Sequence, residues 1–192
     1  MKIKDVLRQH SVGVSFEFFP PRTIAGKHLL TVNIKVLRNY HPLYVSMTYG
    51  AGGRTQERTK EAVDLLLDEE GLVVMPHLTC IGAQKERIKS ILEGYKAKGI
   101  ENIMALRGDP PQDVSDFDPT IGDFVYGRDL VDFIKREFGE YFCIGVAVYP
   151  EGHIESSSIE EDMEYTKQKI DAGADFAVTQ MFFDNRYFYQ FI

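Results

Sequence analysis

The sequence predicts an α/β protein with a parallel sheet, and three observations carry that reading. Short apolar, β-branched-rich runs alternate with longer segments of helical period along the whole chain. The runs recur about every 30 to 40 residues, the spacing of repeated βα units. Side chains able to do chemistry collect at the C-terminal ends of these runs, where parallel α/β folds build their sites.

The candidate strands are 13–19, 43–49, 72–78, 102–107, 142–149 and 176–182. Helices fit between them at 26–40, 55–69, 84–98, 127–138 and 158–172. Segment 84–98 carries Ile88, Ile91, Leu92 and Tyr95 at i, i+3, i+4 and i+7, with Lys85, Glu86, Arg87 and Lys89 elsewhere, so one face is apolar. Ser158 followed three residues later by Glu161 reads as a capping box. Gly99 and Gly173 stand where a left-handed residue closes a helix. Residues 187–192 read as the opening of a further helix. The connection 108–125 is rich in Pro, Gly and Asp. It reads as a functional loop rather than a linker, because the βα rhythm resumes unchanged on both sides.

No reversal interrupts the rhythm, which fits either a doubly wound sheet or a (β/α)₈ barrel. A barrel takes ~250 residues and eight strands. This chain of 192 residues shows about six of the eight βα units, and 1–192 reads as a single barrel domain cut short at its C-terminus. An open arc exposes two strand edges and apolar helix faces, so the expectation is a piece of a longer chain, or a protein completed by a partner.

Composition narrows the function classes. With 22 Lys+Arg against 29 Asp+Glu and a formal charge of −7, the chain lacks the basic excess that nucleic acid or an anionic membrane demands. No apolar run approaches the ~20 residues of a membrane span, and the start Met1-Lys2-Ile3-Lys4-Asp5 lacks a signal-peptide core, so the expected location is cytoplasmic. Cys80 and Cys143 lie far apart with no CxxC and read as small buried side chains.

The predicted strands end at Glu17, Thr48, His77, Arg107 with Asp109, Tyr149 and Gln180. Parity orients them. Val14, Phe16 and Phe18 share one face of the first strand and Ser15 and Glu17 the other; Val45 and Met47 oppose Ser46 and Thr48; Ile144, Val146 and Val148 oppose Ala147 and Tyr149. Polar groups would face a barrel axis and apolar groups the helices. Each residue also has a plainer reading: Glu17 as a solvent contact on an edge strand, His77 as a satisfied core histidine, Thr48 and Gln180 as partners for backbone. Arg107-Gly108-Asp109 is stronger, since the glycine lets a ligand approach the backbone. Gly50-Ala51-Gly52-Gly53 departs from GxGxxG and suits a close-approach loop better than a dinucleotide fingerprint. No HExxH or HxH spacing supports a metal at His77, Asp109 and His153, so none is expected.

Six motifs together resemble the bacterial type of methylenetetrahydrofolate reductase: Glu17-Phe18-Phe19-Pro20-Pro21-Arg22, Thr48-Tyr49-Gly50-Ala51, Pro76-His77-Leu78-Thr79-Cys80, Leu106-Arg107-Gly108-Asp109, Tyr149-Pro150-Glu151 with His153, and Asp171-Ala172-Gly173-Ala174 with Thr179-Gln180. The resemblance implies a (β/α)₈ barrel with non-covalent FAD, in one-carbon and methionine metabolism. NADH or NADPH would give hydride to the flavin, leave, and be replaced by 5,10-methylenetetrahydrofolate, which becomes 5-methyltetrahydrofolate. Glu17 matches the general acid that protonates N10 and opens the ring to an N5 iminium. That role needs a poised or protonated carboxyl, expected from burial beside Phe16 and Phe18. Asp109 matches the aspartate near flavin and pterin, and Gln180 the folate-binding glutamine. Thr48, His77, Arg107, Gly108, Asp109, Tyr126, Gly127, Tyr149, His153, Asp162 and Lys169 match the FAD lining, with Arg107 and Lys169 suited to the pyrophosphate. Tyr165 departs from the pattern, standing where many members carry Asn. The implied partners are the folate and the nicotinamide donor, with no nucleic acid, no membrane and homo-oligomeric assembly. The alternatives are a catalytically incomplete flavin-binding or partner protein of the same fold, and an unrelated barrel enzyme.

Overall fold

In the computed structural model, which describes residues 1–49, 56–69, 71–110, 117–118 and 120–192, strands and helices alternate after one leading helix. The order is α1 (Ile3–Gln9), β1 (Ser15–Phe18), α2 (Ile24–Leu37) with a 3₁₀ turn at Arg38–Tyr40, β2 (Tyr44–Met47), α3 (Gln56–Leu67), β3 (Val74–Thr79) and α4 (Lys85–Ala97). It continues with β4 (Asn102–Leu106), α5 (Gly127–Phe138), β5 (Cys143–Val148), α6 (Ile159–Asp171), β6 (Phe176–Thr179) and α7 (Asn185–Phe191). The expected strands and helices all form, shifted by a few residues at their ends.

All strand pairs are parallel and run in the sequence order β1-β2-β3-β4-β5-β6. A doubly wound sheet reverses its strand order at a switch point, whereas a barrel winds in one direction throughout. The sheet is therefore six strands of a partial (β/α)₈ barrel. The loop Gly50-Ala51-Gly52-Gly53 and most of the middle of 108–125 lie outside the described residues.

Alternation along each strand divides the core in two. Outward residues Phe18, Val45, Met47, Val74, Leu78, Ile103, Ala105, Ile144 and Val146 pack against the helices, including Ile88, Leu92, Leu130 and Ile134. Inward residues Met75, Met104 and Cys143 form a second cluster with Tyr44, Leu106, Phe176 and Val178 around the barrel axis. Gly145 belongs to this inner layer. A Cβ there would meet the Phe176 ring at 2.6 Å, so glycine is what lets that ring fill the axis. Both cysteines are fully buried, and burial pushes the Cys80 thiol up to about 12, where it is inert.

Helix α1 was not anticipated. Its seven residues hold no two-turn apolar repeat, and docking is what makes it a helix. Ile3, fully buried, plugs the N-terminal end of the arc against the inner cluster. The Ile3 amide donates to Asn102 Oδ1 at 2.8 Å, and Asn102 Nδ2 donates to the Met1 carbonyl at 3.0 Å. Beside them Asp175 accepts from Lys4 Nζ at 2.7 Å, Lys135 Nζ at 3.3 Å and the Ile144 amide at 2.9 Å.

Capping is partly as expected. The Ser158 hydroxyl accepts from the Glu161 amide at 3.2 Å, but the Glu161 carboxylate turns to Ser157, accepting from its amide and hydroxyl at 2.7 Å. At α5, Asp129 accepts from the amides of Val125 and Tyr126 at 2.9 and 2.8 Å and so fixes the entry to that helix. No described helix is long and apolar enough to cross a membrane.

Candidate active site

The C-terminal ends of β4 and β5, the first turn of α5 and one face of α6 enclose a cavity of about 430 Å³. Nine of the residues matched to FAD line it: Arg107, Gly108, Asp109, Tyr126, Gly127, Tyr149, His153, Asp162 and Lys169. They come from four elements far apart in sequence. The parallel register of β4 and β5 brings Arg107 and Tyr149 to within one step of each other, and the βα connections with helix α6 deliver the rest. Gly108 has φ +86°, and a Cβ on it would meet Thr79 at 2.8 Å, so the bend between Arg107 and Asp109 requires glycine.

The cavity joins cationic and aromatic groups. Arg107 Nη2 lies 2.6 Å from Glu155 Oε2, and Lys169 Nζ donates to the Ala147 carbonyl at 2.7 Å while standing 5.9 Å from the centre of the Tyr149 ring. Desolvation lowers the pKa of Lys169, and Asp162, itself buried, opposes that shift. Burial raises the Tyr149 phenol, helped by the Asp162 and Asp109 carboxylates. Tyr165 stacks on Tyr126 with ring centres 5.7 Å apart, Arg128 lies over Tyr126, and His153 meets the edge of Tyr149. Tyr165 thus presents ring surface to the cavity.

Arg128, Glu155, Ser156 and Gln168 also line the cavity, and sequence reasoning missed them. One signal was present: Asp162, Tyr165 and Lys169 follow at i, i+3 and i+7 on α6, so the adjoining polar position 168 lies beside that face. Glu155 carries no such signal, because only the β5–α6 loop conformation brings it to Arg107.

A second cluster sits across the mouth on β1, β2 and β3. Glu17 is half exposed; Nε2 of His77 lies 3.3 Å from its Oε2, and the Ser46 hydroxyl donates to the same oxygen at 3.4 Å. The hydrogen bond from His77 is the largest influence on Glu17 and holds its carboxyl below the ordinary glutamate value, outweighing desolvation, with Ser46 adding to the effect. This corrects the expectation that burial beside Phe16 and Phe18 keeps Glu17 protonated. Those rings point the other way, Phe18 into the outer core and Phe16 against Tyr40, as strand alternation requires. His77 therefore stands with Glu17, and neither it nor Thr48, at the end of β2, lines the cavity described above. Gln180, at the end of β6, is exposed, and its Oε1 accepts from the neighbouring Met181 amide at 3.1 Å. Among the described residues no cluster of three or more His, Cys, Asp or Glu could hold a metal ion. His77 is engaged with Glu17, and His153 Nδ1 accepts from the Glu155 amide.

The chain is thus a partial (β/α)₈ barrel whose strand C-termini open onto a cavity lined by charged and aromatic side chains. Solved barrels share the shape alone: a phosphonopyruvate hydrolase superposes with TM-score 0.66 at 10% identity, over 100% of this chain and 68% of its own. An oxaloacetate acetylhydrolase does so with TM-score 0.64 at 14% identity, over 99% of this chain and 66% of its own. The family is settled by sequence. The family model for methylenetetrahydrofolate reductase matches residues 2–192, and the chain belongs to that family. It is 42% identical over 177 residues to the 5,10-methylenetetrahydrofolate reductase of Escherichia coli (strain K12), covering 92% of this chain and 57% of that protein. It is 44% identical over 176 residues to the Pectobacterium carotovorum protein of the same name, covering 92% and 56%. With methylenetetrahydrofolate reductase (NADH) 1 of Arabidopsis thaliana it shares 40% identity over 200 residues, covering 100% of this chain and 34% of that one. The chain thus spans about a third to somewhat over half the length of these relatives.

Proposed function

We propose that this chain supplies the cofactor cradle and the proton donor of a flavin-dependent reductase that converts 5,10-methylenetetrahydrofolate to 5-methyltetrahydrofolate with NADH or NADPH. The observation that supports it most is the gathering of nine matched residues around one cavity with Glu17 half exposed at the same mouth. The cavity suits FAD on chemical grounds. Arg107 offers a planar cation for a diphosphate, Gly108 and Gly127 permit close backbone approach, and Tyr126, Tyr149 and Tyr165 offer ring surface.

Bound FAD would carry hydride from the nicotinamide donor to the folate, the two substrates taking turns at one site. The protein's own residues do the rest. Arg107 would hold the diphosphate, on release of Glu155. Glu17 gives a proton to N10, the C–N10 bond breaks with its electron pair on N10, and the methylene becomes an N5 iminium ready for hydride. Asp109, exposed at the rim, places a negative charge by that cation, and the Gln180 amide turns from its own backbone to the folate ring.

Residues 1–192 read as a single domain whose unpaired edges, β1 and β6, would be bridged by about two further βα units. Helices by those edges expose Leu29, Val32 and Val36 on one side and Tyr189 and Ile192 on the other, the surface such units would cover. Flavin absorbance of the purified full-length protein, followed by stopped-flow measurement of each half-reaction, tests the proposal. A protein without flavin, or with flavin that never oxidises on adding the folate, would overturn it.

A further inference from the structure

Three adjacent strands bring their inward residues onto one carboxylate oxygen. Register pairs Glu17 of β1 with Ser46 of β2 and Ser46 with Met75 of β3, so His77, two residues further on β3, stands one step nearer the mouth on the same inner face. From there its Nε2 reaches Glu17 Oε2 at 3.3 Å, and Ser46 Oγ reaches the same atom at 3.4 Å. His77 is buried, whereas the Glu17 side chain is 50% exposed. A buried imidazole behind a half-exposed carboxylate is the arrangement of an acid held and supplied with its proton from within.

We propose that His77 is the positioning and proton-supplying residue for Glu17: with Ser46 it fixes Oε2, leaves Oε1 to meet the folate, and restores the proton that Glu17 gives away. This inference rests on the folate-reductase reading above. The balance closes in three transfers. The His77 imidazolium passes its Nε2 proton to the Glu17 carboxylate at Oε2 and becomes neutral; the carboxyl turns about its Cγ–Cδ bond, passes that proton to N10 and is a carboxylate again; His77 then takes one proton from solvent. No oxidant or reductant enters.

The surroundings support a private pair. Among the described groups acting on Glu17, His77 is the one that can carry charge. From β2 come the neutral Ser46 and Thr48, and from β3 the neutral Thr79. At the end of β4, Arg107 is engaged by Glu155, and Asp109 acts on Tyr149, as does Arg107. From β6 comes the neutral Gln180. The arrangement also resolves a conflict in the site. A carboxyl held below its ordinary value is ionised before substrate arrives, yet it must donate a proton, and a neighbouring imidazolium provides one on demand.

The test uses full-length holoprotein, wild type and three variants. In His77→Asn, the Glu17 carboxyl followed by ¹³C NMR should titrate at higher pH than in wild type, and the folate half-reaction should slow at least tenfold more than the nicotinamide half-reaction. His77→Gln, which can donate a hydrogen bond but cannot titrate, should recover part of the folate rate while its pH profile stays altered. Ser46→Ala should shift the Glu17 titration less than His77→Asn does, and remains available if His77→Asn fails to fold. An unchanged Glu17 midpoint, or equal slowing of both half-reactions, overturns the inference. Wild-type protein that carries no flavin and turns over no folate would instead sink the functional reading, while the NMR titration still reports on the contact.

Discussion

The two ends of the arc hold the same kinds of residue under different terms. At the floor, Asp175 is met by two ammonium groups and a backbone amide, Asn102 bonds at both ends of its side chain, and Ile3 is fully buried. At the mouth, Glu17 is held by two long contacts to one oxygen, Arg107 is occupied by a half-exposed Glu155, and Gln180 bends back onto its own backbone. Floor groups are satisfied by partners that folding alone provides. Mouth groups are satisfied by partners that a ligand can replace. That division is how a parallel barrel keeps stability and function apart.

The comparison is sharpened most by Glu17→Gln. Loss of a general acid at the mouth should slow folate reduction about 10³-fold, ~4 kcal/mol in the barrier, with thermal stability unchanged and flavin still reducible by the nicotinamide donor. Folate turnover within tenfold of wild type would remove Glu17 from the role. Next comes Ile3→Ala at the floor, which should cost about 3 kcal/mol by leaving a cavity against Met75, Met104 and Cys143, read by urea unfolding. Flavin affinity of the folded fraction should stay unchanged, and a weakened flavin site there would erase the distinction between the two ends.

Asp175→Asn should cost about 2 kcal/mol, in a pH-dependent way. Desolvation pushes the Asp175 carboxyl up, but Lys4, the Ile144 amide and Lys135 together bring it below its ordinary value. A carboxyl with a lower value folded than unfolded stabilises the fold above the unfolded value, and the gain disappears as pH falls through the folded one. Wild type should therefore lose stability on acidification below about pH 4, and the variant should show a flatter profile there. Smallest is Glu155→Gln at the mouth. Freeing Arg107 should tighten FAD roughly fivefold, about 1 kcal/mol, while riboflavin, which lacks phosphate, binds as before. Equal tightening of both ligands would mean that Glu155 does not compete for the diphosphate seat.

The βα rhythm was legible because each element carries its own period. Ile88, Ile91, Leu92 and Tyr95 are all buried on α4, as their spacing required. The inward set Glu17, Ser46 and His77 followed from strand alternation, which leaves a side chain no choice of face once its neighbours face the helices. Helix α1 was not legible, because seven residues with three charged side chains become helical only through Ile3 and the bonds at Asn102. Nor was Glu155, whose place depends on a loop.

The sequence by itself determined the six strands, the helices between them, and which face each inward side chain takes, because those properties are set within a few residues by backbone geometry and hydrophobic period. It also carried the family, through motifs whose order survives without coordinates. Tertiary structure alone decided that the sheet winds in one direction, that α1 closes the floor, that Arg107 meets Glu155, and that His77 holds the Glu17 carboxyl below its ordinary value where burial beside aromatic neighbours was expected to raise it. A pKa and an ion pair depend on what stands within a few ångströms in space. Residues 17 and 77 come that close only when three strands lie side by side.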